Sequence, residues 1–526
     1  MTPPRTFTLA TVYGAYVALF FATVSGLLPR ESMLFVAVAL VFWMLWRPLE
    51  EGVLFFIQAI PLFIALPLSA TYDNLNLWRP LALVLVVKYI LEPATLSALT
   101  ATLRTILSRP WIWLKEHPVA WQLCALFILA SLSLSAAQYP LIGLKRIIYF
   151  VNLSMVPVVL WGLLRQGRVS SERVIHGLVA PTIIVILVGF LQLISTYLMD
   201  VYQFMQLWGE QIQLRQFGAQ WSDIAVRVGN TWLAYYGNQL SLRMFSVFPD
   251  SHSFPTFLLF GIPALLAIAS GPILRRVNEL PLAKLIRTYA SFSIVWVPLA
   301  FLAAILSGTR GIWAASIGVV LLIPFYLLIM KRSGIDTPSR RVFSYGASYL
   351  ATFFCLFLVA WPLFISPQFL VGKSDANLFG NRIRSVIDFG ETSNALRIAI
   401  WKSSVNSIGN HPWLGIGIGN FPVVLDQRIE LARAGSTAHN LYLHVAAEMG
   451  IGAALITISL LITSVVSAFR WFARARGLQQ IYAGSLLLYL PWIYAYVLTD
   501  PILFDERIFL IFATTLALLW ANDYGA

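Results

Sequence analysis

The stretch STAHNLYLHVAAEMGIGAALITISLL, residues 436–461, joins two chemistries that seldom meet in a soluble protein. A polar rim, Ser436 to Asn440, leads directly into an apolar run that continues to about residue 469. About 20 residues at 1.5 Å rise cross a bilayer, so this run is long enough to span one. It carries His444 and Glu448 near its start, and ionisable groups at the edge of a membrane helix are costly and mark function by default.

The rest of the chain repeats the apolar pattern. Of 526 residues, 59% are hydrophobic and 11% are charged, and the mean hydropathy is +0.77. These values lie far outside the soluble range and exclude a soluble enzyme, a fibre and a disordered chain. Apolar length places about fourteen spans, near 8–28, 32–46, 52–70, 78–92, 119–137, 141–164, 174–198, 252–269, 290–307, 311–330, 344–366, 445–469, 479–498 and 508–522. The expected fold class is all-α, a polytopic membrane helical bundle. It divides into N-terminal helices (1–198), an outer loop (199–251), central helices (252–366), a large outer loop (367–440) and C-terminal helices (441–526).

The net charge of +13 would suggest nucleic acid in a soluble protein. Here its distribution argues otherwise. One set of alternate gaps holds Arg104, Arg109 and Lys115, then Arg165, Arg168 and Arg173, then Arg275, Arg276, Lys284 and Arg287. The same set continues with Lys331, Arg332, Arg340, Arg341, Arg470, Arg474 and Arg476. The short loops of the other set hold Arg30, Arg79, Arg310 and Arg507. Cations favour cytoplasmic loops, so both termini are expected in the cytoplasm, with the two long loops outside. The N-terminus has Arg5 before its first apolar run and no small-residue cleavage signature, which reads as an uncleaved span. Each long loop carries an amphipathic pattern. Val201, Phe204, Met205, Trp208 and Ile212 share one face, and Ile398, Trp401, Val405 and Ile408 share another. Both read as helices lying on the outer membrane surface. Cys124 and Cys355 sit in apolar runs and read as small core residues.

Several cations nevertheless fall outside, including Arg243, Lys373, Arg382, Arg384, Arg397, Lys402, Arg428 and Arg433. Lys145 and Arg146 follow Gly143 near the outer end of a span, and Arg310 sits in the tight turn Ser307-Gly308-Thr309-Arg310-Gly311. Long translocated loops escape the charge rule, but cations against apolar segments fit an anion held at the outer leaflet, for which arginine's planar fork suits phosphate. His117, His176 and His411 look incidental. His252 opens a span, and His439 lies on the rim beside Asn440, where a neutral imidazole can act as base toward a hydroxyl. His439 and His444 are five apart, about 140° around a helix, so they share no face, whereas His444 and Glu448 do. Two ligands without a third make a poor metal site, and none is expected. Gly415-Ile416-Gly417-Ile418-Gly419 lacks the Lys-Ser/Thr of a phosphate loop and reads as a turn of close backbone approach.

Three segments together resemble the O-antigen ligase/polymerase family. SGTRGIWAASIGVVLL (307–322) is similar to its turn-and-helix, LRIAIWKSSVNSIGNHPWLGIGIGNF (396–421) to its R…W…HP-LG-G-GNF stretch, and AHNLYLHVAAEMGIGAALI (438–456) to its HN…E-x-G helix start. RMFSVFPDSHSFPTFLL (243–259) is a looser fourth match. The resemblance implies a bundle akin to GT-C glycosyltransferases in the bacterial inner membrane, with a periplasmic active site. It implies transfer of a glycan from undecaprenyl pyrophosphate to lipid A-core, to a second lipid-linked glycan or, in a related branch, to a protein. Membrane lipids surround it, and neither cofactor nor metal is implied. By motif position Arg243 and Arg310 would hold pyrophosphate and His439 would be the catalytic histidine. Lys145, Arg146, Asn440, His252 and Glu448 are the further candidates for substrate contact. Two other classes fit part of the pattern: a transporter of an anion or lipid-linked glycan, and a carrier-binding scaffold without catalysis.

Overall fold

The computed structural model describes residues 8–69, 72–73, 75–112, 118–228, 232–236, 239–276, 295–364, 370–371, 392–426 and 436–523. Arg5, Lys115, His117, Lys284, Arg287, Lys373, Arg382, Arg384, Arg428 and Arg433 lie outside the described residues. The described part is almost wholly helical. Its strands are a ladder of Ala65–Leu66 with Leu75–Asn76 and an antiparallel trio, Leu233–Tyr236, Gln239–Leu242 and Leu370–Val371, that ties the two long loops together.

Helices stand at almost every apolar run. Six are long and apolar enough to cross a membrane: Pro118–Ala136, Pro140–Arg165, Ser171–Ser195, Arg310–Arg332, Thr337–Ala360 and Leu441–Arg474. A seventh is counted if Trp78–Leu91 and the helix after it, bent by 76°, form one span. Leu9–Val24, Ser32–Trp46, Ser253–Ile268 and Val295–Leu306 are apolar but shorter, so this measure does not reach the expected fourteen. The run at 52–70 departs most. It forms helix Leu49–Ala59, a 3-10 turn Ile60–Leu62 and then the Ala65–Leu66 strand. Pro61 ends the helix, because proline lacks the N–H that the next turn requires.

The helix Gly477–Tyr496 lies at the centre, buried along almost its whole length against Ser253–Arg276, Arg310–Arg332, Thr337–Phe364 and Leu441–Arg474. That position keeps its polar groups out of lipid: Gln480 donates to Ser339 Oγ at 2.8 Å, and Tyr494 OH pairs with Ser464 Oγ at 2.6 Å. At the bundle end away from His439, charge ties helices together. Arg168 bridges Glu50 and Glu92, Asp523 holds Arg470 and Arg474, and Lys88 caps the carbonyls of Met44, Leu45 and Arg47.

Two expectations change, those for the Phe204–Trp208 face and for the two cysteines. The Phe204–Trp208 face is not spread on lipid. It is buried in the protein core, and Trp208 Nε1 donates to Ser195 Oγ at 2.9 Å. The second amphipathic helix, Thr392–Asn410, docks on the rim through Trp401 Nε1, which donates to the Ala438 carbonyl at 2.9 Å, while Val405 stays exposed. Cys124 and Cys355 are exposed, not core, because an apolar run does not say which of its faces meets protein.

The Gly415–Gly419 turn is a wedge. Leu441–Arg474 breaks at Gly450, which adopts φ 87° and ψ 168°. The freed carbonyls of Ala447 and Glu448 accept from the N–H groups of Ile416 and Gly417, each at 2.9 Å, and Ile451 N donates to Pro412 O at 2.9 Å. A Cβ at Gly450 would meet the Trp413 carbonyl oxygen at 2.1 Å, and its φ lies where L side chains are strained. Gly450→Ala is therefore expected to cost at least ~1–3 kcal/mol and lower the melting temperature in detergent. Gly14→Ala, a helix site with open space around it, should leave the melting temperature unchanged or raised. Equal melting of the two variants would contradict the wedge.

Candidate active site

Four chain segments meet at one end of the bundle. They are residues 243–252 leading into Ser253–Arg276, the 307–311 turn, the 436–440 rim, and the 497–505 turn after Gly477–Tyr496. Backbone contacts lace them together. Thr309 Oγ1 donates to Ser251 O at 2.8 Å, Leu441 N to Val497 O at 2.8 Å, and Trp492 Nε1 to Ile312 O at 2.8 Å. Gly311 has no room for a side chain, since a Cβ would lie 2.2 Å from Thr499 Oγ1. Small residues in the Ser307–Gly311 turn thus let Arg310 reach the same end as the 497–505 turn.

The polar side chains form a chain of contacts. Arg243 directs Nη1 to Ser251 Oγ at 3.2 Å and to His252 Nε2 at 3.4 Å, while its Nε is buried without a partner. Arginine only donates, so His252 Nε2 accepts and the ring proton sits on Nδ1. That Nδ1 lies 2.8 Å from Tyr496 OH and 3.4 Å from Asp500 Oδ2. His439 Nδ1 approaches the same Asp500 oxygen at 3.9 Å, too far for a hydrogen bond, and has no hydrogen-bond partner. Asp500 therefore stands between two imidazoles.

Electrostatics bring in Arg397, from helix Thr392–Asn410. Burial lowers its pKa, Asp500 opposes that, and the positive charges of Arg310 and Arg243 lower it further. Arg397 thus lies within electrostatic reach of both Arg310 and Arg243. Burial alone would raise the Asp500 carboxyl, but His252, His439 and Arg397 hold it below the usual carboxylate range. Burial pushes His252 below the usual histidine range, and Arg243 adds to this against the pull of Asp500. Next door, Asp505 is raised to about 7 by burial and by Asp250, which caps Ser253–Arg276 through the N–H groups of His252 and Ser253.

His439 holds φ 47°, a left-handed conformation that costs a non-glycine residue ~1–3 kcal/mol. The helix start fixes it there. Asn440 Oδ1 accepts from the N–H groups of Tyr442 and Leu443, so the side-chain oxygen of Asn440 is committed to the cap.

The remaining candidates gather beside this cluster. Glu448 lies 3.5 Å from His444 Nε2 and accepts from Phe421 N at 3.0 Å, and Arg146 is within electrostatic reach. The His444 ring stacks on Phe421 with centroids 4.7 Å apart, and the Arg146 guanidinium lies over Tyr149, Phe150 and Phe504. Lys145 is exposed on the neighbouring helix. Among the described residues no cluster of three metal-ligating side chains occurs. Asp500, Tyr496 and Arg397 are the members that sequence reasoning did not single out. The signal for Asp500 was present: an acid before Pro501 at the end of an apolar run is the same rim placement that drew attention to His439.

Residues 295–458 match the family model described as O-Antigen ligase. No curated protein matches the chain. The matched stretch contains Arg310, Arg397 and His439, while Arg243, His252 and Asp500 come to them from outside it.

Histidine titration by NMR in detergent micelles tests the electrostatics. His252 should titrate below ~6.5, the ordinary histidine value. Asp500→Asn should move it lower still, because the carboxylate favours the charged ring. A His252 titrating at or above the ordinary value would contradict the geometry.

Proposed function

We propose that this chain, whose residues 295–458 match the O-antigen ligase family model, transfers a glycan from undecaprenyl pyrophosphate to a hydroxyl of a glycan acceptor at the outer face of the bacterial inner membrane. The observation that carries the reading is the meeting of Arg243, Arg310 and Arg397, from three separate segments, with His439 and Asp500 at the rim of an apolar bundle. A donor with an apolar tail and a pyrophosphate head needs that combination. The tail stays in lipid, and the head meets cations where the chain leaves it.

The roles follow from charge. As the bond from the anomeric carbon to the pyrophosphate oxygen breaks, its electron pair goes to the leaving group. Arginines placed in advance stabilise that growing charge without reorganising. His439 Nε2 takes the proton of the acceptor hydroxyl, whose oxygen forms the new glycosidic bond. Asp500 faces the other ring nitrogen and favours the imidazolium that results. Catalytic hydrogen bonds often tighten only with substrate present, which suits the 3.9 Å separation found here. His252 stays neutral and holds Arg243 in place. A single displacement inverts the anomeric centre and uses neither a carboxylate nucleophile nor a metal.

In membranes supplied with lipid-linked glycan, Arg310→Ala and Arg397→Ala should each lower transfer by about 10²–10³-fold. His439→Ala should lower it by about 10²–10⁴-fold. All three proteins should accumulate as the wild type does. Full transfer by Arg310→Ala and His439→Ala would remove the site assignment. Saturable tracer uptake by wild-type proteoliposomes, without any transfer, would favour a transporter instead.

A further inference from the structure

At the bundle end opposite the active site, the chain forms a helix whose exposed surface the transfer reaction does not use. Trp78–Leu91 ends at Glu92, which is paired with Arg168. The next helix, Pro93–Ser108 (PATLSALTATLRTILS), turns away by 76° and packs on little except the helix it follows. Where Trp78–Leu91 stands along the bilayer normal, as its apolar run is expected to, a helix bent 76° from it lies near the bilayer plane.

Its surface fits that plane. At 100° per residue Leu96, Leu99, Leu103, Ile106 and Leu107 occupy helix positions within one arc of about 100°. Leu107 is 83% exposed, and Trp111, in the helical residues 110–112 that follow, is 82% exposed. Arg104 and Arg109 flank that arc, each about 60° beyond one edge. Both are exposed, no described acid lies within ion-pair reach of either, and the helix contains no Asp or Glu. A water-facing helix would not leave Leu96, Leu107 and Trp111 uncovered beside exposed arginines. A helix with an apolar arc flanked by arginines, following an apolar helix and ending near a tryptophan, fits the boundary between headgroups and acyl chains.

We infer that Pro93–Trp111 is an in-plane membrane helix whose Arg104 and Arg109 bind anionic phospholipid headgroups of the leaflet opposite the active site. The apolar arc fixes its depth, and the two guanidinium groups select lipid charge.

The test uses the full chain in vesicles. Cys124 and Cys355 are replaced by serine, and a spin label is placed through Leu107→Cys or, as the opposite-face control, Thr105→Cys. Phosphatidylcholine vesicles are compared with vesicles that also contain phosphatidylglycerol. The label at 107 is expected about 5–10 Å below the phosphates and the label at 105 in water. Phosphatidylglycerol should be enriched around the protein in native mass spectra. Arg104→Gln with Arg109→Gln should cut that enrichment by roughly five-fold per arginine while the label at 107 stays inserted. A water-exposed label at 107 in both lipids would overturn the inference. So would both labels at mid-bilayer depth, which would make the segment half of a broken span. Enrichment untouched by the double substitution would overturn the lipid selectivity.

Discussion

Confining Arg397 in a buried space within electrostatic reach of Arg310 and Arg243 is the constraint on which the candidate site depends. Burial is the largest cause of the lowered Arg397 pKa, and the two like charges add to it. Asp500 offsets part of it. Two neighbouring imidazoles and a guanidinium keep that carboxyl ionised although burial disfavours the charge. The excess positive charge suits a dianionic head group, and the proposed donor supplies one.

Holding such groups in place requires a rigid frame, and the frame is apolar. The buried helix Gly477–Tyr496 ends in Tyr496, hydrogen-bonded to His252, and leads directly into the Asp500 turn. The glycine wedge fixes the other side. By taking over the Ala447 and Glu448 carbonyls, it sets where Leu441–Arg474 breaks, and so positions the stretch from Asn440 to Glu448 against Phe421. His439 keeps a strained backbone because the cap after it and the bond from Leu441 to Val497 leave it no alternative.

Much of this was legible in the sequence, and the limits are physical. Apolar length is a local property, so helices stand where the runs stand. The 52–70 run failed because Pro61 breaks the helix regardless of hydropathy. Amphipathic pattern identified the helical face of Phe204 and Trp208 but not its neighbour, since protein core and lipid reward the same side chains. The same ambiguity misplaced Cys124 and Cys355. His439, Arg243 and Arg310 stood out as rim charges in motif-like settings. Asp500 shares that rim placement, but its role comes from His252 and His439, 248 and 61 positions earlier, and pairing at that range is written only in the fold. Helical spacing already placed Glu448 with His444, and the structure adds Arg146 and Phe421 to them.

The central claim is that the arginine cluster binds pyrophosphate while His439 acts only on the acceptor. The most direct measurement is the affinity of the purified protein in nanodiscs for undecaprenyl pyrophosphate, compared between His439→Ala and Arg397→Ala. Losing one charge-assisted contact is worth ~1.5–3 kcal/mol, so Arg397→Ala should bind about 10- to 100-fold more weakly. His439→Ala should bind as the wild type does. Undiminished binding by Arg397→Ala, or a comparable loss in His439→Ala, would contradict the account.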